Sequence, residues 1–295
     1  TRSSVLVRIS HSHIRIGTFQ YHAYHQDNTS LENLMKSICK YYFSFNDNEN
    51  TALNFFSKVV KNCANLAASY NIFGFVHGVL NTDNINVTGE SFDYGPYRMM
   101  EKYNPEKIAA YFDHSGLYKF SKQVDAIFWN VQQLASIMTL FLEEKLIIEE
   151  LKKYIDLYNS EVLRLFFQRL GLKPNSLDSN NQKLLQDFYE ILIKSPYLYE
   201  EIYHDLRGGK EKVNFQTELK QKYKNFNLDK IFENHQISNN IDLKLLMKIP
   251  RETLLYDEME KIWDDIDKKD DWSLFNQKID SINSFKHANI NYGLG

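Results

Sequence analysis

The sequence predicts a mainly α fold with a small β portion, on three observations. From Asp125 to about residue 267 apolar residues recur at helical spacing, broken at Pro174, Pro196 and Pro250. Two earlier stretches, Leu31–Tyr42 and Leu53–Tyr70, repeat at threes and fours. Apolar–polar alternation marks Val5–Ile9, Ile14–Ile16 and Ile85–Val87.

In chain order, Val5, Val7 and Ile9 alternate with Leu6, Arg8 and Ser10, and Ile14 and Ile16 flank Arg15. This predicts two strands joined around His11-Ser12-His13, with Arg8 and Arg15 on opposite arms. On spacing alone the two arginines read as solvated strand residues; together they could also grip a phosphate. Ser30 reads as a helix N-cap, followed by the face Leu31, Leu34, Met35, Ile38 and Tyr42. After a polar break at residues 46–50 comes a strongly amphipathic helix, with Phe56, Val59, Val60, Cys63, Leu66 and Ala67 as core. Gly74 marks its end, and Phe75-Val76 starts a buried lead-in to a loop. From Asp125, the segments 144–170, 182–193, 197–206, 215–234, 241–249 and 251–267 read as helices of a bundle. Arg207-Gly208-Gly209-Lys210 reads as a link between helices, and Asp264–Asp271 as a solvated helix face or end.

The stretch with the most chemistry is His77-Gly78-Val79-Leu80-Asn81-Thr82-Asp83-Asn84, followed by Phe92-Asp93-Tyr94-Gly95. Ile85–Gly89 reads as a tight hairpin that would bring Asn84 and Asp93 to neighbouring strand ends. A carboxamide and a carboxylate so placed suit a hard cation such as Mg2+ or Mn2+, with substrate phosphates completing its shell. The plainer readings are turn formers at Asn81, Thr82, Asp83 and Asn84, and a buried histidine bonded to backbone at His77. Asp113-His114-Ser115 has the residue types of a hydrolase triad, but adjacent residues cannot stack head to tail.

The spacing of His77-Gly78, Asn84 and Asp93-Tyr94-Gly95 resembles the catalytic and metal loops of the protein-kinase-like superfamily. There His-Gly-Asp-x-x-x-x-Asn precedes Asp-Phe-Gly, and the Asn and second Asp hold metal. Val79 stands where that pattern has its catalytic Asp, and valine accepts no proton. Asp83 is the nearest replacement carboxylate. Further motifs narrow the resemblance to the selenoprotein O family, the SelO protein adenylyltransferases. They are Phe92-Asp93-Tyr94-Gly95-Pro96-Tyr97, Tyr103-Asn104-Pro105, Asp113-His114-Ser115-Gly116-Leu117-Tyr118, Phe120, Gln123 and Trp129-Asn130. Upstream, Arg8-Ile9-Ser10-His11-Ser12-His13-Ile14-Arg15-Ile16-Gly17-Thr18-Phe19 resembles the family's Arg-Val-Ala-x-Ser-His-x-Arg-x-Gly-x-Phe segment. These motifs cover most of residues 2–135.

The resemblance implies a kinase-like lower lobe in residues 1–145, with a residual upper-lobe hairpin, and a helical C-terminal extension in 146–295. It implies transfer of AMP from ATP, with Mg2+ or Mn2+, to hydroxyls of protein substrates. Arg8, Arg15 and Asp93 would meet the nucleotide, Asn84 and Asp93 the metal, and Asp83 would accept the hydroxyl proton. No Gly-rich loop, strand lysine or paired glutamate is found in residues 1–30, so the upper lobe is expected to be largely absent, or supplied by a separate polypeptide. The alternatives are a catalytically silent pseudokinase remnant or binding module, and a phosphotransferase with Asp83 as a displaced base.

At 295 residues the chain is long enough for a large core. Its formal net charge of −3 gives no basic field for nucleic acid. Cys39 and Cys63, its two cysteines, fall in apolar-periodic segments and read as free buried thiols of a reducing, cytoplasmic setting. The longest apolar run, Ala135–Leu142, is too short to span a membrane.

Overall fold

The computed structural model describes residues 7, 9–45, 50–93, 95–238 and 241–291. Among these the chain is mainly helical, with one two-stranded sheet and three isolated bridges. It divides into two compact units. One comprises Thr1–Asn71, His77–Tyr97 and Ile108–Glu161; the other comprises Ile72–Val76, Arg98–Lys107 and Val162–Gly295.

The first unit begins with α1 (Ile16–Tyr24) and α2 (Asn28–Tyr41). The N-cap of α2 is Asp27, whose carboxylate accepts from the Ser30 amide at 3.0 Å, so Ser30 is the third helical residue rather than the cap expected from sequence. The helix buries Leu31, Met35, Ile38 and Cys39, as its periodicity predicts. α3 (Thr51–Phe73) follows and is buried almost all round, through Phe55, Phe56, Val59, Val60, Cys63 and Ala64. α1 packs on α2 and on α4 (Gln123–Met138), and the Phe19 ring stacks 5.0 Å from that of Phe55. Such pairs are favoured over a polar neighbour by both burial and ring geometry. The unit ends with α5 (Glu144–Lys152) and the first turns of α6 (Tyr154–Leu170); the Tyr154 hydroxyl donates to the Val124 carbonyl.

The sequence expectation for residues 5–16 is corrected here. The arm Val5–Leu6 and Arg8 lie outside the described residues. The described arm pairs elsewhere: Arg15 bridges Asn86 antiparallel, with Ile16 N–H donating to the Ile85 carbonyl and Val87 N–H to that of Ile14. Helix α1 then starts at once, at Ile16. Alternation specifies an extended backbone but not its partner, and here the partner lies about seventy residues downstream.

α3 stops at Gly74, whose φ of +64° suits glycine. A Cβ there would also stand 2.8 Å from that of Met100 and 2.9 Å from the Tyr199 ring. Strand β1 (Phe75–His77) pairs with β2 (Tyr97–Met99).

The second unit carries α7 (Asp178–Lys194), α8 (Tyr199–Leu206), α9 (Gly209–Phe215), α10 (Glu218–Lys222), α11 (Leu228–Ile231), α12 (Leu243–Leu246), α13 (Tyr256–Lys269) and α14 (Ser273–Asn291). The expected helix over 215–234 is broken into short pieces, and α14 lies beyond the last helix expected. The core here is aromatic, with Phe166, Phe188, Tyr199 and Tyr203 buried. Arg169 is sunk among them, its guanidinium 3.6 Å from the Tyr203 ring centroid, 2.5 Å from a Glu200 oxygen, and donating to the Ile72 carbonyl. Arg207-Gly208 links α8 to α9, as expected, with Gly208 at φ +85°. α13 buries none of its residues and carries Lys268–Asp264 and Lys269–Asp265 pairs at i,i+4, matching the solvated run expected there. No helix among the described residues is long and apolar enough to cross a membrane.

Candidate functional site

His77 closes β1 and is fully buried, its ring 6.2 Å from that of Tyr70. Its backbone N–H donates to Gln123 Oε1 at 2.7 Å, and its Nδ1 accepts from the Val79 amide at 3.1 Å. Burial pushes the imidazole pKa down to about 4, opposed by the backbone and charge of Asp93. A neutral ring that shapes the loop is what this environment sustains.

The loop beyond His77 is held by side chains bonding to backbone. Asn130 Nδ2 donates to the Leu80 carbonyl at 2.8 Å, and Asn81 Oδ1 accepts from the Asp83 amide at 3.2 Å. Asn84 is buried, and its Nδ2 donates to the Val79 carbonyl at 2.9 Å. This bond fixes which way the carboxamide faces. Its Oδ1 takes no hydrogen bond from any described residue.

Ile85 and Ser91 then form an antiparallel bridge, and the turn closes with Gly89 N–H donating to the Asn86 carbonyl. The hairpin expected from sequence is present. Phe92 N–H donates to the Asn84 carbonyl at 3.3 Å, which puts Asp93 one residue beyond Asn84's cross-strand neighbour. Asp93 is half-buried, and its Oδ1 accepts from the Gly95 amide at 3.3 Å.

Arg15 arrives through its pairing with Asn86. Its Nη1 donates to the Asp83 carbonyl at 3.1 Å, and its Cζ lies 4.9 Å from the Phe92 ring centroid. Its Nε is buried with no hydrogen-bond partner. A buried guanidinium donor left unpaired is costly, and an anion is its natural complement. Arg8 lies outside the described residues, as does Tyr94. Asp83 is exposed. It lies against the start of α1, where Gly17 N–H donates to the Thr82 carbonyl at 2.9 Å and a Cβ on Gly17 would stand 2.2 Å from Asp83 Oδ1.

Two supports were not legible from the sequence. Thr82 Oγ1 donates to Gln20 Oε1 at 2.6 Å, and Asn86 Nδ2 to the Ser12 carbonyl at 2.7 Å. Both join segments more than sixty residues apart, with no local signature. Asp113 is a turn organiser: burial works to raise its pKa, but the amides of Tyr118 and Leu117 prevail and hold it below the ordinary range.

Among the described residues no group of three or more His, Cys, Asp or Glu could hold a metal ion. A magnesium site needs no such cluster, since that ion keeps several waters and is bound through one or two protein oxygens plus phosphates. Such a donor set needs one carboxamide oxygen and one carboxylate, the residue types of Asn84, whose Oδ1 is unengaged, and of Asp93 across the hairpin.

Comparison with known proteins sets the class. The chain is similar to proteins named protein nucleotidyltransferase YdiU: 32% identical over 305 residues to that of Trichodesmium erythraeum, and 30% over 315 residues to that of Synechocystis sp.. Each match covers 96% of this chain and 64% of the relative, so the chain spans a little under two thirds of their length. The profile of the family described as protein adenylyltransferase SelO matches residues 1–283. The chain belongs to that family.

Proposed function

We propose that this chain carries the metal and phosphate loop of a protein adenylyltransferase, which transfers AMP from ATP to hydroxyl groups of protein substrates. The observation that carries this reading is the Asn84 carboxamide, its nitrogen tied to Val79 and its oxygen unengaged, in a loop whose Asp83 carbonyl is held by Arg15, an arginine whose Nε is buried without a partner. In this reading Asn84 and Asp93 would hold Mg2+ or Mn2+, which would supply charge neutralisation on the phosphates. Arg15, together with Arg8, holds phosphate oxygens by charge-assisted bonds.

Asp83 is the base. The substrate hydroxyl oxygen attacks the α-phosphorus, the bond from that phosphorus to the bridging oxygen breaks, and pyrophosphate leaves. The hydroxyl proton passes to the Asp83 carboxylate. Val79, where kinases carry their Asp, cannot serve. His77, neutral and buried, shapes the loop without exchanging protons.

The mainly helical fold is read as a kinase-like lower lobe over residues 1–145 with a helical extension over 146–295. Residues 1–30 hold no Gly-rich loop, strand lysine or paired glutamate of the kind such chemistry uses, and a separate polypeptide is proposed to supply them. The buried free thiols of Cys39 and Cys63 suit a reducing, cytoplasmic setting.

Incubation with protein and ATP labelled at the α or γ phosphate tests the proposal. Transfer of the α label, abolished in Asp93→Ala, is expected. Transfer of the γ label instead, or α labelling that survives Asp93→Ala, overturns it.

A further inference from the structure

Within the second unit lies a cavity of about 680 Å3, remote in sequence from the loop described above. Its walls are apolar, with Met99, Met100, Leu254, Leu255, Ile282 and Phe285 prominent among them. Two arginines, two glutamates and Lys286 also reach its lining, and the pairing of the arginines and glutamates is unequal. Glu200 is matched by Arg169 at 2.5 Å, and Glu252 by Lys278 at 2.5 Å with the Ser281 hydroxyl donating to its other oxygen. Arg207 is not matched. It is buried, yet Nε donates to the Arg169 carbonyl at 3.1 Å and Nη1 to Asn289 Oδ1 at 3.3 Å, both neutral acceptors. Among the described residues no carboxylate stands within ion-pair distance of it, and no hydrogen bond is made by its Nη2.

A guanidinium taken out of water with no carboxylate in direct contact is among the costlier arrangements in a protein interior. Burial and the neighbouring Arg169 press its pKa down to about 10, only partly opposed by the more distant charge of Glu200. The natural complement is a carboxylate, which a guanidinium fork can take in bidentate fashion. The remaining walls ask for hydrocarbon. The volume falls in the range of small-molecule sites lined by apolar side chains with a few placed polar groups.

We propose that this cavity binds a single-chain amphiphile with a carboxylate head, its head on Arg207 and its chain between the apolar walls of Met99, Met100, Leu254 and Phe285. Each methylene added to the chain tightens binding by roughly 4-fold until the cavity is full. The head contributes a further factor of about 10 to 100, the range of a hydrogen bond to a charged group.

The test is titration calorimetry of the whole chain with laurate, octanoate, dodecanol and acetate, all below their micellar concentrations. Laurate is expected to bind one to one, more tightly than octanoate or dodecanol, with acetate undetectable. Arg207→Gln should weaken laurate at least 10-fold and leave dodecanol unchanged. Leu254→Trp, at a position 38% exposed, should block both. Equal binding of laurate and dodecanol, unchanged laurate affinity in Arg207→Gln, or no laurate binding overturns the proposal. If Arg207→Gln does not fold, Leu254→Trp decides: laurate binding that survives it also overturns the proposal.

Discussion

Arg15 and Asn86 face each other as an antiparallel pair, and through that pairing an arginine from the first twenty residues reaches the loop holding Asp83 and Asn84. The amides flanking the bridge, Ile16 to Ile85 and Val87 to Ile14, make the contact a short ladder rather than a single touch. Gly17 follows directly, so the start of α1 and the loop share one piece of architecture.

Gly17→Ala should therefore separate activity from stability. Alanine is a better helix former than glycine by about 1 kcal/mol, so α1 itself gains. The added Cβ, however, would occupy space 2.2 Å from Asp83 Oδ1 and must displace it. The expected outcome is a melting temperature within a few degrees of wild type and label transfer lowered by about 10-fold or more. Unchanged transfer would remove Asp83 from the chemistry.

Asn84→Ala removes the partner of the Val79 carbonyl and the oxygen assigned to the metal together. A stability loss of about 1–3 kcal/mol is expected from the unpaired carbonyl, measured by urea unfolding. Metal-dependent binding of ATP, followed by calorimetry with and without Mg2+, should be lost as well. A variant that keeps that dependence rules out Asn84 as a ligand.

The pH dependence of stability should carry a signature of His77. Its folded pKa of about 4 lies below the usual value of 6.5, so the unfolded state binds the extra proton between these values. Stability from this residue is complete above about pH 6.5 and is lost as pH falls toward 4, by roughly 3 kcal/mol. In His77→Gln, which keeps an acceptor for the Val79 amide, that slope should flatten. Parallel curves for the two proteins, from denaturant titrations at pH 7, 6 and 5, would show that His77 does not titrate this way.

Phe19→Ala probes the packing that seats α1. The ring is 1% exposed and stacked on Phe55, so truncation should cost about 3–5 kcal/mol. Thermal melts should show a drop on the order of 10 °C. A change under about 1 kcal/mol would mean that α1 is seated by other contacts.

The parts legible in the sequence are those set by local pattern. The faces of α2 and α3 follow from apolar spacing, Gly74 from its place at the end of a periodic run, and the Ile85–Ser91 hairpin from alternation ending in Gly89. What local pattern omits is the partner. Ile14-Arg15-Ile16 reads as an extended arm, and nothing nearby in sequence says that it pairs with Ile85–Val87. Ser30 resembles a cap because serine caps often, but Asp27 offers a carboxylate three residues earlier and takes the amide. The pieces α10 and α11 are hidden for the opposite reason. Their polar, interrupted periodicity merges into one long apparent helix, and tertiary packing breaks it. Likewise spacing singles out Asn84 and Asp93 as candidates, while Gln20 and Ser12, which brace the same loop, carry no signature of their own.

A side chain whose nitrogen is already committed cannot swivel to greet a ligand. Because Asn84 is pinned to the Val79 carbonyl, its oxygen faces one way before anything arrives. On the proposed reading, little of the ordering cost of an incoming ion would fall on this residue, and most would fall on the nucleotide, with its many torsions. Binding at this loop should thus resemble filling a rigid mould more than closing a hand, with small changes in backbone protection around residue 84 when ligand is added.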